Sequence, residues 1–134
     1  QMKFQNTGGR IINISSVGAR GFVDVSNIIY AGSKGAIVSL TKTAAQQLGK
    51  YNINVNAICP APTYTDIVKK LIQTRAVEQE KSQEEIMKHY MRDVPLGRFN
   101  DPKDIAEMAL FLSSDNSKNI SGQSFNVDGG LIPS

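Results

Sequence analysis

An α/β fold built on a doubly wound parallel sheet is what the sequence predicts, and three observations lead there. A β-branched, nearly continuous apolar run, Arg10 to Ser15, has the character of a strand buried on both faces, and a second strand follows at Ile53 to Cys59. A long segment of helical periodicity lies between them. Strand, helix, strand, helices, strand is then the order of a sheet wound by crossover helices.

The first strand follows a Gly8-Gly9 turn and runs Arg10-Ile11-Ile12-Asn13-Ile14-Ser15. From Tyr30 to Leu48 the apolar positions Ile37, Leu40, Ala44 and Leu48 recur as on one helical face, and Gly49 stops the helix. The second strand ends at Pro60-Ala61-Pro62, which cannot continue a ladder. Positions 65–91 are charged and helical in propensity, with Ile67, Leu71, Ile72, Ile86 and Met87 as apolar anchors; this predicts a helical lid at about 64–94. Asp101, Pro102 and Asp104 start a further helix with Ile105, Met108, Ala109 and Leu112 on one face. Ser124 to Val127 is a last short strand. Three strands make a thin sheet for this architecture, so positions 1–134 read as the carboxyl-terminal part of a single domain.

Composition narrows the function. A chain of 134 residues buries one core, and 40% hydrophobic with 20% interspersed charged residues describes a soluble globular protein. No apolar run approaches the roughly 20 residues a bilayer demands, so no membrane partner is expected. The net charge of +3 is spread without a basic stripe, which argues against nucleic acid. Cys59 is the only cysteine, so no internal disulfide forms and a cytoplasmic setting is expected. His89 is the only histidine, and no metal is expected in catalysis.

The chemistry starts from Tyr30-Ala31-Gly32-Ser33-Lys34. On a helix, positions i and i+4 share a face with Cβ atoms about 6 Å apart, so the ammonium can act on the phenol. A free phenol ionises near about 10, and using one as a proton carrier at neutral pH requires several kcal/mol of help for its anion. At an effective dielectric of about 20, an opposite charge about 5 Å away contributes about 3 kcal/mol. The first turn of a helix adds about 0.3 to 1 kcal/mol. Such a pair alone is a common surface contact. Here the preceding strand ends Asn13-Ile14-Ser15-Ser16-Val17, which sets a hydroxyl at the carboxyl edge of a parallel sheet, where open α/β folds bind ligands. The loop over positions 17–29 is long enough to bring hydroxyl and phenol onto one substrate oxygen.

Five segments together resemble the short-chain dehydrogenase/reductase family, in particular the branch of 3-oxoacyl-carrier-protein reductases and sugar or polyol dehydrogenases. They are Gly9 to Ser16, Tyr30 to Lys34, Asn54-Val55-Asn56-Ala57-Ile58-Cys59-Pro60, Val94-Pro95-Leu96-Gly97-Arg98-Phe99, and Ser121-Gly122-Gln123-Ser124 through Val127-Asp128-Gly129-Gly130. The resemblance implies a Rossmann-like fold, NAD or NADP as cofactor, a small ketone or alcohol as substrate, and a homo-oligomer, most simply a tetramer. By the same resemblance Tyr30 is the general acid/base, Lys34 favours its anion and bonds the nicotinamide ribose, and Ser16 bonds the reacting oxygen, while Ser15 fits a cap or turn. Pro60-Ala61 stands where the family has Pro-Gly; Thr63 addresses the carboxamide through its backbone, and Thr65 places a hydroxyl near the amide or phosphate. Cys59 reads as a buried strand residue. His89 and Tyr90 read as surface positions of the lid, with substrate contact as the alternative.

The family's glycine-rich dinucleotide turn appears nowhere in these residues, nor does its helical asparagine, whose helix would end at Gln1 to Gln5. The leading expectation is an oxidoreductase; the rival is a non-catalytic member serving as a binding or structural subunit, against which the intact Ser16, Tyr30 and Lys34 argue. Since the pyrophosphate of a dinucleotide rests on backbone N–H groups of that turn, the 134 residues expressed alone should bind neither NADH nor NADPH tightly. Fluorescence titration checks this, and micromolar affinity with a cooperative melt would refute it.

Overall fold

The computed structural model describes residues 1–21 and 27–133. Its sheet has three parallel strands in the order β1 (Gly9–Ile14), β2 (Ile53–Pro60), β3 (Ser124–Val127). The helices are α1 (Met2–Gln5), α2 (Ile28–Leu48), α3 (Asp66–Glu78), α4 (Gln83–Met91) and α5 (Pro102–Ser113). None of the described helices is long and apolar enough to cross a membrane.

β2 lies between the other two and is buried along nearly its whole length, with Val55, Ala57, Ile58 and Cys59 fully inaccessible. Each such aliphatic side chain contributes about 2 kcal/mol relative to exposure. Alternation along the strand directs its two faces to different helices. Ile53 and Val55 pack with Ile11 against Ala44, Ala45 and Leu48 of α2. Asn54 and Asn56 point the opposite way, where the segment after α5 passes, and both are buried. Asn54 donates to the carbonyls of Lys118 and Ile120 at 3.0 and 2.8 Å, and Asn56 donates to Ile120 at 2.9 Å while accepting from the Gln123 N–H at 3.0 Å. The sheet is thus covered on both faces, as a doubly wound arrangement requires.

Helix boundaries follow side-chain caps. The Asn27 carboxamide accepts from the Tyr30 N–H at 2.8 Å, so α2 begins at Ile28, two positions ahead of the expected start at Tyr30. Ser82 and Glu85 form a reciprocal box at α4, as do Asp101 and Asp104 at α5 with Pro102 in its first turn. The Ser82 N–H and hydroxyl hold the exposed Glu85 carboxyl below its ordinary value. That cap is therefore complete above the ordinary carboxylate range and is lost as pH falls through the lowered value. α2 ends at Leu48 as expected, yet Gly49 stays right-handed at φ −55°; the left-handed residue is Asn52 at φ 56°, after a short 3-10 turn.

Several expectations require correction. β2 extends through Pro60, because the Ala57 and Ala61 N–H groups turn toward β3 and Pro60 therefore faces the β1 side, where the strand has already ended. β1 is half-buried and Ile14 is 45% exposed, since β2 is its only neighbour among the described residues. Leu40 is 58% exposed. The core face of α2 instead carries Thr41, whose hydroxyl donates to Ile37 O at 2.8 Å and accepts from Asn13 Nδ2 at 2.9 Å. A satisfied polar residue there hid the true face from an apolar count. Ile67 points to solvent, and the hairpin of α3 and α4 closes instead on Ile72, Ala76 and Ile86 with Val68, Tyr90 and Phe99 around them.

The buried asparagines give a direct test. Asn56→Ala leaves the Gln123 N–H without its acceptor in the interior, while Ile120 O keeps the Asn54 amide, and should cost about 1–3 kcal/mol. Urea denaturation reads this as a lower midpoint at unchanged slope, and an unshifted midpoint would show that the Gln123 N–H finds another partner.

Candidate active site

The carboxyl ends of β1 and β2, the first turns of α2 and the α3–α4 hairpin enclose a cleft of about 500 Å³. Ser16, Tyr30, Lys34, Pro60, Ala61, Thr63 and Thr65 all line it, so every site residue expected from the sequence meets in one place.

Each arrives there for a local reason. The Ser15 N–H continues the β1 ladder onto Ile58 O at 2.8 Å, and its hydroxyl donates to Lys34 O at 2.8 Å, tying the strand end to the second turn of α2. Ser16 follows with extended backbone and caps the 3-10 turn Val17–Arg20, its Oγ accepting from the Gly18 N–H at 3.1 Å. The cap role expected of Ser15 therefore belongs to Ser16, because Ser15 is still in the ladder. The two roles of Ser16 are compatible: a hydroxyl whose lone pair is engaged keeps its proton for another acceptor. Of the loop expected over positions 17–29, residues 22–26 lie outside the described residues.

Tyr30 is 40% exposed in the first turn of α2. One turn on, the Lys34 ammonium lies 5.7 Å from the Tyr30 ring centroid and donates to Ile14 O at 3.2 Å. One backbone acceptor at the end of β1 thus fixes where that charge stands.

After β2 the chain turns through Pro60-Ala61-Pro62-Thr63. The Ala61 N–H donates to Val127 O at 3.0 Å, and the Thr63 hydroxyl donates back to Ala61 O at 3.0 Å. Thr63 bridges to Asn100, with Asn100 N–H on Pro62 O and Tyr64 N–H on Asn100 O, which turns the Thr63 N–H away from the bridge. Thr65 caps α3. Ala61 takes no left-handed conformation, so alanine is accommodated where glycine is the family habit.

Three features escaped the sequence reading. Asn100 is buried, and its amide donates to both Ala61 O and Val127 O, locking the turn after β2 to β3; nothing in its local sequence announces this. Arg75 lines the cleft from α3, on the stripe of Val68 and Leu71, a spacing that could have pointed to it. Tyr90 is no plain surface residue: its hydroxyl is buried, its ring packs against the Phe99 ring at 6.3 Å, and it lines the cleft with His89. Cys59 is buried within β2, as a strand residue should be.

Comparison with known proteins agrees with this geometry. The family model described as enoyl-(acyl carrier protein) reductase matches residues 1–132. A 3-oxoacyl-(acyl-carrier-protein) reductase of Thermotoga maritima is 39% identical over 125 residues, covering 92% of this chain and 46% of that protein. An L-rhamnose-1-dehydrogenase of Scheffersomyces stipitis is 40% identical over 132 residues, covering 98% and 47%. The solved short chain dehydrogenase family protein of Francisella tularensis superposes with a TM-score of 0.86 at 37% identity, covering 92% of this chain and 51% of that one. Sorbitol-6-phosphate 2-dehydrogenase of Erwinia amylovora does so with a TM-score of 0.89 at 30% identity, covering 99% and 52%. The chain therefore spans about half the length of the relatives it matches. A parallel sheet covered on both faces, the cleft at its carboxyl edge and these matches over almost every residue place the chain in the short-chain dehydrogenase/reductase family.

Proposed function

We propose that this chain forms the proton-handling and substrate-binding part of an NAD- or NADP-dependent oxidoreductase that interconverts a ketone and a secondary alcohol. The observation that carries this reading is the convergence of Ser16, Tyr30 and Lys34 on one cleft at the carboxyl edge of the sheet.

The residues suit a nicotinamide dinucleotide. The Thr63 N–H is turned away from its bridge and free to meet a carboxamide, Thr65 stands two positions on, and Pro60 and Ala61 are held against β3, leaving a firm wall for a ring. When bound, that cofactor supplies or accepts the hydride. The Tyr30 hydroxyl then gives its proton to the carbonyl oxygen in reduction, or takes the proton of the alcohol in oxidation. The Ser16 hydroxyl, with Gly18 N–H on its lone pair, donates its own proton to the same oxygen and orients it. Lys34 spends one N–H on Ile14 O and keeps two for a ribose hydroxyl, with its ammonium 5.7 Å from the centroid of the Tyr30 ring.

The outer side of α2 supports assembly into a homo-oligomer, a tetramer by family likeness. Ile28, Ile29 and Leu40 are 87%, 81% and 58% exposed, an apolar stripe that monomers do not usually leave in water. The buried thiol of Cys59, the one cysteine, fits a cytoplasmic setting.

In the complete enzyme, Tyr30→Phe should lower kcat by about a hundredfold or more with cofactor affinity nearly unchanged, since the ring stays and only the proton carrier goes. Turnover within tenfold of the parent would refute the assignment. Lys34→Met should weaken cofactor affinity and rate together, and unchanged affinity would remove the ribose contact. Sedimentation at micromolar concentration should give an oligomer; a clean monomer would overturn that part.

A further inference from the structure

We propose that the lid side of the cleft is an oxyanion-binding pocket formed by Arg75 and Tyr90, so that the substrate is a ketone or alcohol bearing a carboxylate or phosphate at its far end. The inference rests on the oxidoreductase reading above and names its substrate class.

Arg75 is partly buried and lines the cleft, and no carboxylate among the described residues pairs with it. Among the described residues, the one carboxylate lining the same cleft is Asp93, which is bonded by Arg92 at 2.9 Å. The interior of the helical hairpin is made by the neighbouring Ile72, Ala76 and Ile86. Its guanidinium carbon sits 5.3 Å from the centroid of the Tyr90 ring, a cation–π contact that fixes the fork without using any of its N–H donors.

The second group is the Tyr90 ring, which is clamped by Phe99 and the hairpin core and keeps its hydroxyl closed to solvent. A ring held in this way holds the guanidinium stacked on it. An oxyanion fits such a fork: it accepts from the planar guanidinium, whose geometry matches carboxylate and phosphate. A neutral hydroxyl of a substrate would leave the charge uncompensated.

Position sets the rest of the ligand. Thr65, the cap of α3, stands beside the turn that follows β2, and Arg75 lies ten positions on, about 15 Å along the axis. Val68 and Leu71 line the interval. A molecule whose reacting carbon meets Tyr30 and whose far end meets Arg75 therefore crosses an apolar stretch between two cationic ends, Lys34 and Arg75.

The test uses the complete enzyme and three probes on one linear methyl ketone: the chain ending in a carboxylate, its methyl ester, and the same chain ending in a phosphate monoester. At least one anion should exceed the ester by about thirtyfold in kcat/KM, the size of a charge-assisted hydrogen-bond pair. Which anion wins separates carboxylate from phosphate. Arg75→Met should erase the preference while leaving the ester within about threefold, Arg75→Lys should keep part of it, and Tyr90→Leu, which takes the ring from under the fork, should lose part of it. No preference in the parent, or an equal loss for ester and anions in Arg75→Met, overturns the pocket and makes Arg75 a packing residue. Calorimetric titration of both anionic probes into Tyr30→Phe reads the pocket without turnover. Binding that Arg75→Met abolishes supports the pocket even if the hydride reading fails, and binding of neither anion sinks it.

Discussion

The rest of the molecule depends on the burial of β2, which must satisfy both edges and both faces at once. Its two edges are met by β1 and β3, and its apolar face by α2. The face of Asn54 and Asn56 is met by backbone carbonyls after α5, so polar side chains in the interior are bonded and not orphaned. This constraint ties the last third of the chain to its middle: β3 cannot register on β2 unless the segment at Lys118 to Gln123 is in place. A buried polar pair of this kind selects one register where apolar contacts alone would tolerate a slip.

The same strand explains why the cleft lies where it does. β1 stops at Ile14 and β2 at Pro60, and both chains must turn away from the sheet at that edge. Two sets of hydrogen bonds then convert strand ends into a shaped wall. Ser15 and Lys34 join β1 to α2, each through the other's neighbourhood: the serine hydroxyl on Lys34 O, the lysine ammonium on Ile14 O. Asn100 joins the turn after β2 to β3. These ties hold the segments that carry Ser16, Tyr30, Lys34 and Thr63 through backbone groups and not through flexible surface contacts.

The lid is built on different physics. α3 and α4 pack mainly on each other, through Ile72, Ala76 and Ile86, and their exposed sides carry Ile67 and Val77. Its inner wall carries, among the described residues, a guanidinium with no carboxylate partner, stacked on the Tyr90 ring, and a buried phenol hydroxyl with no hydrogen bond. The cleft thus has a floor held by the sheet and a wall held by its own hairpin, parts of the chain that can vary independently.

The sequence by itself determined the fold class and the order of elements, and pointed to Ser16, Tyr30 and Lys34 as candidates that the structure brings to one cleft, because these depend on local periodicity, on spacings within a single helix or strand end and on the family resemblance of those segments. Helix starts at Asp101 and the strand at Ser124–Val127 were legible for the same reason. Tertiary structure alone decided which face of α2 is buried, since Thr41 gains a partner in Asn13, 28 positions away. It also decided that Ser16 and not Ser15 is the cap, because the ladder to Ile58 runs one residue past the strand. The clamp of Asn100 on Ala61 and Val127, and the meeting of Arg75 with Tyr90, join residues far apart in sequence. Such contacts arise only when the sheet and hairpin have closed, and no local pattern of apolar and polar residues encodes them.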